Sequence, residues 1–429
     1  MTLTTKESPV TRTTRTTTFS VALTSALLLT ACGGGGFDDE SGSSASATAP
    51  ASASGPVALK MLIASSGDAE TNAVKAATEA WAKKSGNTVT VTVASDMNQQ
   101  LAQGFASGSP ADVFYLDAGR FADYAKNGSL FAYANDLKDK DDFYESLRQA
   151  FTYEDKQYCV PKDFSTLALQ INTDAWSKAG LTDADIPKTW DDLAAVAKKL
   201  TTGNQVGLGL GTGIDRVGAF VVQNGGWWLN EDGTKPNAST PEVEEALKYV
   251  QDNVKAGSFK FANQLDSGWG GEAFGTKKSA MTIEGNWIKG AVTNDYPDLK
   301  YTTVELPEGP KGKGTLQFTQ CWGIAADSKA QAQAVDLVTS LASVEQQIAF
   351  ADAFGVMPSR QSAADQYKSK FPKDAPFVAG GEYGHGPINA PGMEQVVADL
   401  NSKLENFDKA NLSQVLKGFD TNAAAVLGK

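Results

Sequence analysis

The residues in this chain best suited to chemistry are aromatic and acidic rather than nucleophilic or metal-binding. Of its eight tryptophans, Trp81, Trp176 and Trp190 fall in helical patterns and are expected to be structural. Trp227, Trp228, Trp269, Trp287 and Trp322 adjoin glycines in turn-like stretches, where a large ring has less reason to be core. Flat rings beside planar groups that donate and accept hydrogen bonds together suit a polyhydroxylated ligand such as a sugar, whose faces are apolar and whose edges are hydroxyls. Acidic, amide or arginine side chains beside such rings complete the expected set. A single histidine, His385, leaves no imidazole cluster for a metal and makes a Ser-His-Asp arrangement improbable.

Other motifs carry less. Gly207, Gly209, Gly211 and Gly213 alternate, yet no window supplies the spacing of a dinucleotide turn. Gly270 and Gly275 have P-loop spacing, but Thr276 stands where the phosphate-binding lysine must follow. Neither metal nor cofactor is expected. The 50 acidic residues could assemble a glycosidase pair in space, so a secreted glycosidase is the enzyme alternative, although nothing marks such a pair and the expectation is a non-enzyme. A net charge of -12 repels phosphate backbones, so nucleic acid is not an expected partner.

These residues need a scaffold, and 429 residues exceed the roughly 250–300 at which one core stops growing, which predicts two lobes. Val57, Leu59, Met61 and Ile63 alternate as a strand, Val74, Ala77 and Trp81 follow at helical spacing, and 89–93 alternates again. Residues 111–116 read as a buried strand leading through Asp117 into a helix, and strand ends of this kind line clefts in α/β folds. Leu167 to Asn172 predicts another strand, Thr189 with Asp192 a capped helix start, and Thr240-Pro241 a further helix ending at Gly257. The last third reads as helical, so the class is α/β.

The N-terminus carries an address. Lys6, Arg12 and Arg15 precede the apolar run Phe19 to Leu29, the pattern of a signal peptide over 1–31 and too short for a spanning helix. Leu29-Thr30-Ala31-Cys32 resembles the lipobox of bacterial lipoproteins, which implies lipidation at Cys32; the alternative is an ordinary signal peptide cut nearby. Residues 32–56, rich in Gly, Ser and Ala, predict a flexible tether. If Cys32 takes lipid, Cys159 and Cys321 remain as an even pair in an oxidising compartment, either bridged or as two buried thiols.

Several blocks together carry a family resemblance. They are Gly108-Ser109-Pro110-Ala111-Asp112-Val113, Tyr158-Cys159-Val160-Pro161-Lys162-Asp163-Phe164, Leu229-Asn230-Glu231-Asp232-Gly233, Ala280 to Trp287 and Gly355-Val356-Met357-Pro358-Ser359-Arg360. In order and spacing, 57–429 resembles bacterial family 1 extracellular solute-binding proteins, the maltose-binding-protein-like receptors of ABC importers. The resemblance implies a type II periplasmic-binding-protein fold of two discontinuous α/β lobes joined by a hinge, with 57–165 and 321–360 in one lobe and 166–320 and 361–429 in the other. It implies a mono- or oligosaccharide held between the lobes, ABC permease subunits as partners, a monomer, and extracytoplasmic placement on the bacterial cell membrane through the N-terminal lipid. Trp287 matches the family's stacking tryptophan and Arg120 a first-lobe arginine that reaches ligand hydroxyls. Asp117 at the end of the 111–116 strand, either a hydroxyl acceptor or a helix N-cap, Asp163 and Phe164 after the Pro161 turn, and Glu284 before Gly285 are further candidates, and Trp228 and Trp269 are candidates for a second platform. Leu116 and Ser165 stand where the maltose receptor has an aromatic and an acidic ligand residue, which argues against maltodextrin specificity. A receptor for a polyamine, phosphate ester or peptide is the nearer alternative, since a fold does not fix its ligand.

Overall fold

The structure, a computed structural model, describes residues 55–65 and 67–428; the signal peptide, Cys32 and nearly all of the tether lie outside the described residues. The strands are β1 (Ala58–Ile63), β2 (Thr88–Val93), β3 (Val113–Asp117), β4 (Thr152–Tyr153), β5 (Lys156–Gln157) and β6 (Pro161–Asn172). They continue as β7 (Val206–Leu210), β8 (Phe259–Phe261), β9 (Ser279–Gly285), β10 (Tyr301–Val304), β11 (Thr315–Ile324) and β12 (Gly384–His385). Apart from the small β4–β5 hairpin, they join one sheet in the order β2-β1-β3-β11-β6-β9-β7-β8, with β10 added to β6 and β12 to β11.

Two long strands serve both ends of this sheet. The first residues of β6 pair with β11 through Phe164↔Thr319 and Thr166↔Gln317, while Leu167 to Ile171 turn to β9. Likewise β11 gives Gln320 to Ile324 to β3 and its earlier residues to β6 and β12. Every residue of β6 is buried, including the polar Lys162, Asp163, Ser165, Thr166, Gln170 and Asn172.

Each end of the sheet has its own hydrophobic core. One gathers Met61, Trp81, Phe114, Phe121, Trp322 and Leu337 around β1, β3 and the end of β11. The other gathers Leu169, Trp190, Phe220, Trp228, Val250 and Phe419 around β6 to β9 and the last two helices. A smaller cluster of Phe164, Met357, Tyr367 and Phe377 packs where β6 passes from one to the other.

Local signals explain the helices. Thr189 and Asp192 form a reciprocal capping box that starts helix Trp190–Leu200. Pro241 opens helix Pro241–Lys255, where a missing N–H costs nothing, and Gly257 follows it with φ 79°. The alternating glycines turn out to be packing residues: a Cβ on Gly207 would lie 2.0 Å from the Ala197 carbonyl oxygen, so β7 reaches that helix only without a side chain. Cys159 and Cys321 form a disulfide within the first core, Cα atoms 5.8 Å apart. Trp81, Trp176 and Trp190 are buried as expected. Trp322 is not a turn residue; it lies fully buried in β11, 5.1 Å from Tyr115 between ring centroids. No described helix is long and apolar enough to cross a membrane.

Candidate functional site

Two cavities open along the line where β3, β6 and β11 end or cross. The larger, of about 1230 Å³, has Asp68, Lys162, Asp163, Trp269, Trp287 and Phe354 among its lining. The smaller, of about 250 Å³, is bounded by Arg120, Asp215, Trp227, Gln317, His385 and Glu394. Asp117 and Phe318 line both, so the two are ends of one cleft.

Asp117 ends β3 and caps helix Ala118–Lys126 by accepting the Gly119 N–H at 2.9 Å, leaving its second oxygen to the cleft. The cleft walls strip part of its water and, with Asp215 in the same cavity, push its carboxyl above the usual range; the cap and Arg120 oppose the shift. Arg120 does not stand free for a ligand: its guanidinium pairs with Glu394 at 2.7 Å. Two further contacts reinforce that pair, since Gly392 N–H donates to Asp123 at 2.8 Å and Asn389 Nδ2 to the Ala150 carbonyl at 2.7 Å. Segment 384–394, whose Ile388 and Met393 belong to the second core, therefore clasps the first across one end of the cleft.

Trp287 is half-buried and faces the larger cavity. Phe318 meets it edge-on at 5.2 Å and 89°, and the Arg216 guanidinium lies 5.4 Å from its ring centroid. The neighbouring Asn286 is fixed at both ends: its backbone N–H donates to Ser165 Oγ at 3.0 Å and its side-chain Nδ2 to the Gly355 carbonyl at 2.7 Å. Asp163 lines the same cavity but is committed to an ion pair with Lys162, which also reaches Glu70 at 3.3 Å. Burial opposes the Lys162 charge, yet Asp163, Tyr115 and Glu70 outweigh it and raise the lysine's pKa, so the cation is locked in place. Phe164 shows only a buried edge to the cavity and packs on Tyr144 at 5.4 Å. Trp269 sits at the cavity rim before helix Gly270–Gly275, its ring folded over Gly271.

Two expectations need correction. Trp228 is no platform: it is fully buried in the second core, 6.1 Å from Phe419, because the Gly225-Gly226 turn sends it inward. The adjacent Trp227 faces the smaller cavity instead, its ring tilted 35° against His385 with centroids 3.8 Å apart. Glu284 is also fully buried and lines neither cavity; its carboxylate receives Arg216 at 2.6 Å and the Trp287 indole N–H at 3.1 Å. Sequence reasoning missed Asp215 and Arg216. Their signal was position, just beyond β7, a parallel strand whose carboxyl end opens on the cleft.

The charge balance limits what can bind. Every lysine or arginine lining the cleft is paired: Arg120 with Glu394, Lys162 with Glu70 and Asp163, Lys289 with Asp374. Asp68, Asp117, Asp215 and Asp295 make no salt bridge among the described residues. Among these residues there is also no His, Cys, Asp and Glu group that could hold a metal. The cleft thus offers rings and hydrogen-bond acceptors rather than spare cations.

Comparison with known proteins agrees with this geometry. A family model for bacterial extracellular solute-binding proteins matches residues 73–379. A binding protein of Brucella abortus is 25% identical over 350 residues, covering 77% of this chain and 83% of its own. The sn-glycerol-3-phosphate-binding periplasmic protein of Rhizobium meliloti is 23% identical over 292 residues, covering 63% and 67%. Among solved structures, a receptor of Streptomyces glaucescens, known unliganded and with acarbose, superposes with TM-score 0.77 at 18% identity, covering 88% of this chain and 100% of its own. An ABC substrate-binding protein of Listeria monocytogenes in complex with cycloalternan also gives TM-score 0.77, at 23% identity and with 87% and 100% covered.

Proposed function

We propose that this chain, which belongs to the bacterial extracellular solute-binding protein family, captures a neutral carbohydrate in the cleft between its two halves and delivers it to an ABC permease. The family is one of binding proteins rather than enzymes, and it places the chain outside the cytoplasm. The observation that carries the carbohydrate reading is the cleft itself: Trp287 and Phe318 supply ring faces, and unpaired carboxylates such as Asp117 supply hydroxyl acceptors. Structural neighbours that hold acarbose and cycloalternan support it.

A glycerol phosphate ligand, which the Rhizobium relative's name brings to mind, needs a cation to meet the phosphate, and the cleft's cations are all spent on carboxylates. We assign 57–165 and 321–360 to one lobe and 166–320 and 361–429 to the other; the two cores support that division. The chain acts as a monomer held to the membrane by lipid on Cys32, after removal of 1–31. Cys32→Ser should release the mature protein from membranes with ligand affinity intact, and a variant that still fractionates with membranes would remove the anchor.

A thermal-shift panel tests the ligand class, because a ligand that binds only the folded state raises the melting temperature. Neutral tri- and tetrasaccharides should raise it. A rise with sn-glycerol-3-phosphate or spermidine alone would overturn the reading.

A further inference from the structure

The geometry points to Glu284 as the residue that positions Trp287, acting together with Arg216; the inference rests on Trp287 being a carbohydrate platform. Glu284 cannot touch a ligand, being fully buried and outside both cavity walls. One of its oxygens, Oε2, nevertheless holds the indole N–H of the cleft-lining Trp287 at 3.1 Å and Nη2 of Arg216, which lies over that ring, at 2.6 Å. A buried charge of this kind is costly unless paired and hydrogen-bonded, and Oε2 meets both needs, with Arg216 as its ion partner and the indole N–H as its donor.

The backbone that carries the carboxylate is held on both sides. The Glu284 backbone N–H donates to Gln170 Oε1 at 3.0 Å, and its carbonyl accepts from Gln170 Nε2 at 3.3 Å, so one side-chain amide on β6 brackets the peptide. Gly270 makes room above it: a Cβ there would lie 2.6 Å from Glu284 Oε1 and 2.9 Å from Thr282 Oγ1. Arg216, once anchored, lies over Trp287 at 5.4 Å and Phe318 at 5.8 Å and so covers one side of the pair. With the indole N–H tied, Phe318 at its edge and Arg216 across it, the ring has one orientation left. A platform fixed before ligand arrives spends none of the binding free energy on being ordered, which favours affinity.

The test separates positioning from contact and from general structure. In ¹⁵N-labelled protein the Trp287 indole resonance is identified by its loss in Trp287→Phe, which keeps a ring but removes the N–H. Glu284→Gln should shift that resonance strongly and weaken maltotriose or mannotriose binding about five-fold or more. The double variant should bind no more weakly than Trp287→Phe alone, since the two act through one hydrogen bond. An unmoved resonance overturns the proposal, and so does a Glu284→Gln loss that adds in full to that of Trp287→Phe, which would indicate direct contact. If neither sugar binds wild type but the resonance still shifts, the carbohydrate reading fails and the positioning stands. Should Glu284→Gln not fold, Arg216→Lys keeps the charge but loses the planar fork, and a smaller shift of the same resonance is then expected.

Discussion

Removing the Cys159–Cys321 disulfide should destabilise the protein by several kcal/mol without changing its ligand affinity. The two residues are 162 apart in sequence, and closing a loop of that length removes unfolded-state entropy equivalent to about 5 kcal/mol at 25 °C in the chain-entropy account. Because the unfolded chain is already partly compact, the expected loss is about 2–5 kcal/mol. Both sulfurs are buried in the first core and neither residue lines the cleft, so the bond acts on folding and not on recognition. The measurement is urea unfolding of oxidised and fully reduced protein, followed by tryptophan fluorescence. The reduced chain should show a lower midpoint and a slightly steeper slope, since its unfolded state exposes more surface. Calorimetric titration with a bound sugar, run well below the transition, should give one affinity for both forms. A stability difference under about 1 kcal/mol, or an affinity that falls on reduction, would refute the reasoning.

Trp287→Ala should weaken sugar binding roughly 30- to 1000-fold at hot-spot scale while costing little stability, because the ring is only half-buried; unchanged affinity with a collapsed urea midpoint would make it a core residue. Arg120→Ala should loosen the clasp over segment 384–394, raising the radius of gyration of ligand-free protein in X-ray scattering. The pair is partly exposed, at 30% and 49%, so it contributes no more than about 1 kcal/mol and salt should mimic the variant; a radius indifferent to both would remove the clasp. His385 is desolvated against Trp227, which lowers its pKa below the usual value. The unfolded chain therefore takes up the proton first, and this contribution to stability, complete above about pH 7, begins to fall below about pH 6.5 and is gone once pH passes the lower folded value. His385→Gln should flatten that part of the stability profile relative to wild type, and parallel profiles would count against it.

Fold class was legible because periodicity reports burial, and burial is what the sheet and helices have in common. The capping box at Thr189 and the Pro241 helix start were read directly, since each is a contact between near neighbours in sequence. The site was harder. Trp227 and Trp228 share one turn-like context, and which of them points outward depends on how Gly225-Gly226 bends and on Phe419 waiting nearly 200 residues later. Glu284 was recognised as belonging to the site, but only the fold shows that it faces Arg216 from beneath rather than the cleft. Arg120 was recognised too, and Glu394, the partner that engages it, comes from the far end of the chain. Long-range pairing of single charges leaves no mark in a local pattern.

The placement of β11 has a bearing on export. β3 and β6 flank it in the sheet, yet it is made only after some 200 more residues than β3. Until Thr315–Ile324 emerges, the first half of the chain has an unfilled seam at its centre and cannot close its own core. Contacts so distant in sequence make for slow folding. For a polypeptide crossing a membrane unfolded, that delay would work in its favour: the topology itself would keep the chain open until the passage was nearly complete.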